Sequence, residues 1–204
     1  QGMTAHYLSN SVRKLGTDDI ALIHAAAGGT GLLLVQMAKR QGATVIGTVS
    51  SNAKVAPVIQ AGADRVIVTS VQDFKNEVDL LTDGEGCTVV YDSVGKDTFE
   101  RSLDCLAPLG SMVLYGQSSG KVPPFDTAVL NAKGSVSLWR PSLTDYVASR
   151  DDVQFRAGVL FRWIEAGELT ITIGAAFPLR DAVESHRQLA SRATIGKLML
   201  LPGD

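Results

Sequence analysis

Six short runs rich in β-branched and other apolar residues, at 20–24, 44–49, 65–68, 88–91, 112–115 and 136–138, constrain the fold of this chain more than any other feature. Segments of helical length separate the first five. The runs are apolar almost throughout, as strands covered on both faces are, and strands that alternate with helices pair in parallel. The spacing therefore predicts an α/β chain built on a doubly wound, six-stranded parallel sheet of the nucleotide-binding kind. Leu33, Leu34, Met37 and Ala38 fall at helical spacing ahead of Gly42 and predict a helix over 30–41. Further helices are expected over 52–62, with Asn52 as cap and Pro57 constraining the early turns, and over 73–81 and 98–106.

After Pro141 the pattern changes. A long helical stretch runs through Trp163, a β-rich segment covers 169–177, a helix covers 180–191, and a last strand covers 197–201. This part is expected to leave the strand–helix alternation. The chain is accordingly divided into a dinucleotide-binding domain at 1–141 and a tail at 142–204, which packs on that domain and reaches toward a neighbouring one.

The chain has 204 residues, of which 45% are hydrophobic and 20% charged, enough for a substantial core. A net charge of -2 gives no general attraction to nucleic acid or an anionic membrane. Residues 20–38 carry no formal charge, but a strand, a glycine turn and a helix account for them better than a membrane span does. The two cysteines, Cys87 and Cys105, together with the lack of a targeting pattern at the first residues, lead to an expectation of reduced thiols and a cytoplasmic location. His6, His24 and His186 are scattered, so no metal site is expected.

Between the first strand and the first long helix lies Ala26-Ala27-Gly28-Gly29-Thr30-Gly31, a G-x-G-x-x-G arrangement with alanine at the first position. In that setting Gly28 lets backbone approach a pyrophosphate, Gly31 permits close packing of helix on strand, and the helix N-terminus offers free N–H groups to an anion. Ala27, Gly28, Gly29, Thr30 and Gly31 are thus cofactor-binding candidates. Where NAD-specific domains place a carboxylate for the adenosine ribose, this chain reads Thr48-Val49-Ser50-Ser51-Asn52-Ala53-Lys54. Without an acid, Ser50, Ser51 and Lys54 can instead donate to a 2′-phosphate, which favours NADPH over NADH. Taken singly, each serine could equally be a helix cap or turn residue, and Lys54 a solvated side chain.

With those residues placed, the chain resembles the zinc-free quinone oxidoreductase group, including zeta-crystallin, of the medium-chain dehydrogenase/reductase superfamily. The resemblance is carried by Gln1-Gly2-Met3-Thr4-Ala5-His6-Tyr7-Leu8, the alanine-rich glycine turn, Val90-Tyr91-Asp92-Ser93-Val94-Gly95 and Leu114-Tyr115-Gly116-Gln117-Ser118-Ser119-Gly120. Arg140-Pro141-Ser142-Leu143 and Gly196-Lys197-Leu198 extend it over nearly the whole chain. It implies that Thr4, Val94, Tyr115, Gly116 and Gln117 face the nicotinamide and its ribose, while Ser50, Ser51 and Lys54 hold the adenosine phosphate. Val49 takes the place that is acidic in NAD-using relatives, and Thr69 stands where the group often has a tyrosine. A β-rich substrate domain, expected to precede this chain, would cover the nicotinamide.

The resemblance also implies hydride transfer from NADPH to a quinone or similar conjugated carbonyl. An enoyl-thioester reductase and a non-catalytic NADPH-binding module are the competing readings. No catalytic residue is named. Asp92 reads as a loop-capping carboxylate ahead of a general acid, and His24 as a hydrogen-bonded core residue. Tyr115 either packs on the cofactor or fills the sheet end. The edge strand from Val136 to Leu138 is expected to form a homodimer seam, flanked by Lys133 and Arg140.

Overall fold

The structure, a computed structural model, describes residues 1–203. The chain opens with α1 (Gly2–Tyr7), which widens into a π-helical turn over Leu8–Val12 before a loop delivers β1 (Ile20–Ile23). Then follow α2 (Gly29–Arg40), β2 (Thr44–Val49), α3 (Val55–Gln60), β3 (Arg65–Val68), α4 (Phe74–Leu81) and β4 (Cys87–Asp92). Next come α5 (Phe99–Asp104), β5 (Leu106–Leu114), α6 (Ala128–Ala132) and β6 (Ser137–Trp139). The tail holds α7 (Leu143–Tyr146), α8 (Arg150–Glu165), β7 (Ile173–Pro178), α9 (Ala182–Ala190) and β8 (Lys197–Leu201).

The first six strands form one parallel sheet in the order β3-β2-β1-β4-β5-β6. The order reverses between β1 and β4, the doubly wound arrangement expected from the alternation, and the crevice at that switch point is where such sheets bind ligands. Strict alternation along the strands feeds two cores. Ile23, Val45, Val89, Tyr91 and Val113 pack beneath α1 and α2, while Leu22, Ile46, Val90 and Met112 pack beneath α4 and α5. Helix α2 buries Leu32, Leu33, Leu34, Val35, Met37 and Ala38, because α1 covers the side that the sheet leaves open. That explains the uncharged stretch at 20–38. Among the described residues, no helix is long and apolar enough to cross a membrane.

Several boundaries differ from the sequence reading. Strand β5 begins at Leu106, since Leu106 pairs with Cys87 ahead of a register shift that accommodates Pro108-Leu109-Gly110. Strand β6 begins at Ser137, because the Val136 N–H donates to Leu130 O in the loop before the ladder starts. Asn52 does not cap a helix: Asn52–Lys54 is a 3₁₀ turn, and α3 starts at Val55, so Pro57 sits in the first turn, where its absent N–H costs nothing. The helical stretch expected through Trp163 breaks into α7 and α8, with Ser149 and Asp152 forming a reciprocal capping box at the break. The tail also does not abandon the alternation. Its β7 and β8 pair in parallel around α9, making one more strand–helix–strand unit.

Candidate functional site

The glycine turn is built by close backbone approach. Ala25 takes a left-handed conformation, Gly28 N–H donates to Ala25 O (2.9 Å), and Ala26 N–H donates to Thr48 O (2.9 Å) on β2. A Cβ on Gly31 would lie 2.5 Å from Ala25 O and 2.7 Å from Ala26 O, so only glycine lets α2 start this near to β1. The bonds of α2 begin with Leu32 N–H donating to Gly28 O (2.9 Å). The N–H groups of Gly29, Thr30 and Gly31 therefore precede the helix's own ladder and are available to an anion.

At the end of β2, Ser50 is exposed and Ser51 half-buried, whereas Lys54 is buried. The Lys54 Nζ donates to Ser50 Oγ (3.1 Å) and to the carbonyl of Arg192 (2.5 Å) in the tail. Lys54 is thus not a solvated side chain, and two of its three donors are engaged, which leaves one for an anion. Burial lowers its pKa. Thr69, at the end of β3, turns its hydroxyl back to Val49 O (3.1 Å). The whole segment carries hydroxyl and ammonium donors and no carboxylate.

Asp92 ties together the loops after β4 and β5. Its Oδ1 accepts from Val94 N–H (2.7 Å) and Gly95 N–H (3.0 Å), and its Oδ2 from Thr98 Oγ1 (2.6 Å) and Ser102 Oγ (3.1 Å). Its backbone carbonyl accepts from Tyr115 N–H (2.9 Å) and Gly116 N–H (3.2 Å). With both carboxylate oxygens occupied and no exposed surface, Asp92 caps loops and has no free oxygen for acid catalysis. A Cβ on Gly116 would meet Ser93 O at 2.6 Å, so the two loops touch. Burial pushes the Tyr115 phenol up to about 12, partly offset by its hydrogen bond with Ser93, and the phenol stays protonated.

Thr4 and Tyr115 line one open cleft of about 520 Å³, together with Tyr7, Arg140 and Leu143. Gly116 and Gln117 line a second of about 540 Å³, with Phe99, Leu114 and Phe125. Arg140 borders both clefts and donates to Leu114 O (3.1 Å) and Gln117 Oε1 (3.5 Å). From sequence alone Arg140 is expected only to flank a dimer seam. Its position just beyond β6, at the same carboxyl edge as the other loops, was the available signal for a place in the site.

Two further residues could not be found from local pattern. Gly196 N–H donates to Ala27 O (2.8 Å), forming a parallel bridge between Gly28 and Gly196 that clips the tail onto the glycine turn. Arg192 reaches across the same edge, its guanidinium donating to Ser118 O (2.7 Å) while its carbonyl takes the Lys54 ammonium. The structure thus sets Ala27, Gly28, Gly29, Thr30 and Gly31, the Ser50, Ser51 and Lys54 group, and Val94, Tyr115, Gly116 and Gln117 along the carboxyl edges of β1, β2, β4 and β5. Among the described residues, no group of three or more His, Cys, Asp or Glu side chains is placed to hold a metal ion.

Residues 29–147 match the family described as zinc-binding dehydrogenase. The chain is 44% identical over 202 residues to a quinone oxidoreductase of Pseudomonas aeruginosa, covering 99% of this chain and 62% of that protein. It is 42% identical over 203 residues to a 2-haloacrylate reductase of a Burkholderia species, covering 99% of this chain and 61% of that one. Among solved structures, the quinone oxidoreductase of Escherichia coli in complex with NADPH matches with a TM-score of 0.95 at 41% identity, covering 98% of this chain and 62% of its own. The chain therefore spans about three-fifths of the length of these relatives, and by its match over 29–147 it belongs to the zinc-binding dehydrogenase family.

Proposed function

We propose that this chain binds NADPH and is the cofactor-holding portion of a reductase that passes hydride to a quinone or a similar conjugated carbonyl. The observation that carries the reading is the acid-free end of β2, where Lys54 and Ser50 stand beside one another at the foot of the glycine turn. The turn fits a dinucleotide through the space that Gly31 leaves and the free N–H groups that open α2. Those N–H groups would hold the pyrophosphate, Ser50, Ser51 and Lys54 the adenosine 2′-phosphate, and Thr4, Val94, Tyr115, Gly116 and Gln117 the nicotinamide riboside. When bound, NADPH supplies the hydride.

The chain's own residues bind and orient; a quinone reduced by hydride can take its proton from solvent, so no side chain is required as an acid. Residues 1–141 form the cofactor domain. Residues 142–203 pack on it and leave Phe155, Phe161 and Val183 each about 60% exposed (61%, 62% and 62%), apolar side chains that a neighbouring substrate-covering domain could bury. The bare edge of β6 supports a homodimer. The 2-haloacrylate reductase among the relatives favours a second reading, reduction of another activated double bond. Oxidation of NADPH measured side by side with a 1,4-quinone, a 2-haloacrylate and an enoyl thioester separates the two. Turnover is expected with the quinone, and turnover with an alkene acceptor alone would transfer the assignment to the second reading.

A further inference from the structure

Beneath the cofactor loops the core holds a line of polar side chains that cofactor contact does not explain. In the sheet register Leu22 lies opposite Ile46 on one side and Val90 on the other, an apolar row on the α4 and α5 face. Two residues further along each chain segment, on the same face, stand His24, Thr48 and Asp92. With Ser102 of α5 they are buried, at 1%, 3%, 0% and 0% exposure. The His24 Nδ1 lies 3.0 Å from Thr48 Oγ1, its Nε2 lies 3.0 Å from Ser102 Oγ, and Ser102 Oγ donates to Asp92 Oδ2 (3.1 Å). Phe74 closes the ring edge-on at 4.9 Å.

Proton counting gives this line a direction. A carboxylate has no proton to give, so Ser102 must spend its single proton on Asp92 and can meet His24 only as an acceptor. Nε2 must then carry the imidazole proton, Nδ1 is left as an acceptor, and Thr48 donates to it. The ring is neutral, in keeping with the depression of its pKa by burial.

Both ends of the line finish in the site. Thr48 receives Ala26 N–H of the glycine turn on its carbonyl, and Asp92 holds Val94 and Gly95 by its side chain and Tyr115 and Gly116 by its backbone. Burying four polar groups is costly unless all are satisfied, and an apolar layer would fill the same space more cheaply. We infer that His24, as its Nε2–H tautomer, is a positioning residue: through Ser102 it sets the rotation of Asp92 and so aligns the nicotinamide-side loops with the glycine turn. This inference rests on the NADPH reading above.

Isothermal titration of the full chain with NADPH and with adenosine 2′,5′-bisphosphate, which occupies the adenosine end alone, tests it. In His24→Asn the shorter side chain can pair with Thr48 but falls short of Ser102. NADPH affinity is expected to fall about tenfold, and bisphosphate affinity to stay within about twofold. His24→Gln places an N–H near the Nε2 position, and NADPH affinity should return to within about threefold of wild type. Nitrogen NMR of the labelled histidine should show the proton on Nε2. Equal loss for both ligands, unchanged NADPH affinity in His24→Asn, or a proton on Nδ1 would overturn the positioning role. If His24→Asn does not fold, Ser102→Ala should show the same selective loss, and unaltered NADPH affinity there overturns the role equally. A wild-type chain that binds neither ligand would overturn the NADPH reading, and the role with it, whereas a wild-type chain that binds both leaves the role to be judged by the variants alone.

Discussion

Burial lowers the pKa of the His6 and His24 imidazoles, with the Arg156 guanidinium adding to the effect at His6 and the Asp92 charge opposing it at His24. The Arg156 Nη1 donates to His6 Nδ1 (3.1 Å), a bond that a protonated Nδ1 could not accept. In the unfolded chain both rings take up a proton near their ordinary value of 6.5. Protons therefore bind the unfolded state preferentially below that value, and the stability held by the neutral rings is complete above it and lost as pH falls. Urea midpoints measured between about pH 8 and about pH 5.5 should decrease toward acid, and the decrease should be shallower in His24→Gln. A midpoint that is flat across that range would contradict the assignment of neutral, buried rings. Lys54 shows the same control by surroundings: held by Ser50 and the Arg192 carbonyl, it is oriented rather than free on a helix face.

At the scale of elements, β2, β3 and β8 could be bounded from sequence because glycine, proline or polar residues stand within two positions of each end. The start of β5 could not, since Pro108-Leu109-Gly110 reads as a turn while the ladder continues through a bulge. The glycine turn and residues 50–54 were legible as a candidate site because each is a short continuous segment at the end of a recognisable strand. The bridge from Gly196 and the carbonyl of Arg192 were not, because they come from the far end of the chain and leave no periodic trace. Gly196 has φ +65°, and a Cβ there would lie 2.3 Å from Thr172 O. Gly196→Ala should therefore cost about 1–3 kcal/mol and loosen the tail sheet. Faster amide exchange in β7 and β8, with β1 to β5 unchanged, is the expected pattern. Unchanged exchange in the tail would show that the bridge is not what holds it.

For the whole molecule, the edge of β6 and the exposed apolar side chains of the tail are the surfaces that bear on assembly. Trp139 on β6 is 43% exposed beside a row of unpaired backbone groups, and such an edge pairs readily with a second copy. Light scattering after size-exclusion chromatography should give twice the 21.6 kDa chain mass, and Trp139→Lys should return it to one. A monomer at micromolar concentration in the wild type would exclude that seam. The carboxyl edge of the sheet, where turn, donors and loops converge, is the feature on which the functional reading stands. Its most direct test is a calorimetric titration of the chain with NADPH and with NADH, repeated for Lys54→Ala. NADPH should bind at least about tenfold more tightly than NADH, and Lys54→Ala should remove most of that preference while leaving NADH affinity alone. Equal affinities in the wild type, or equal losses for both nucleotides in the variant, would contradict it.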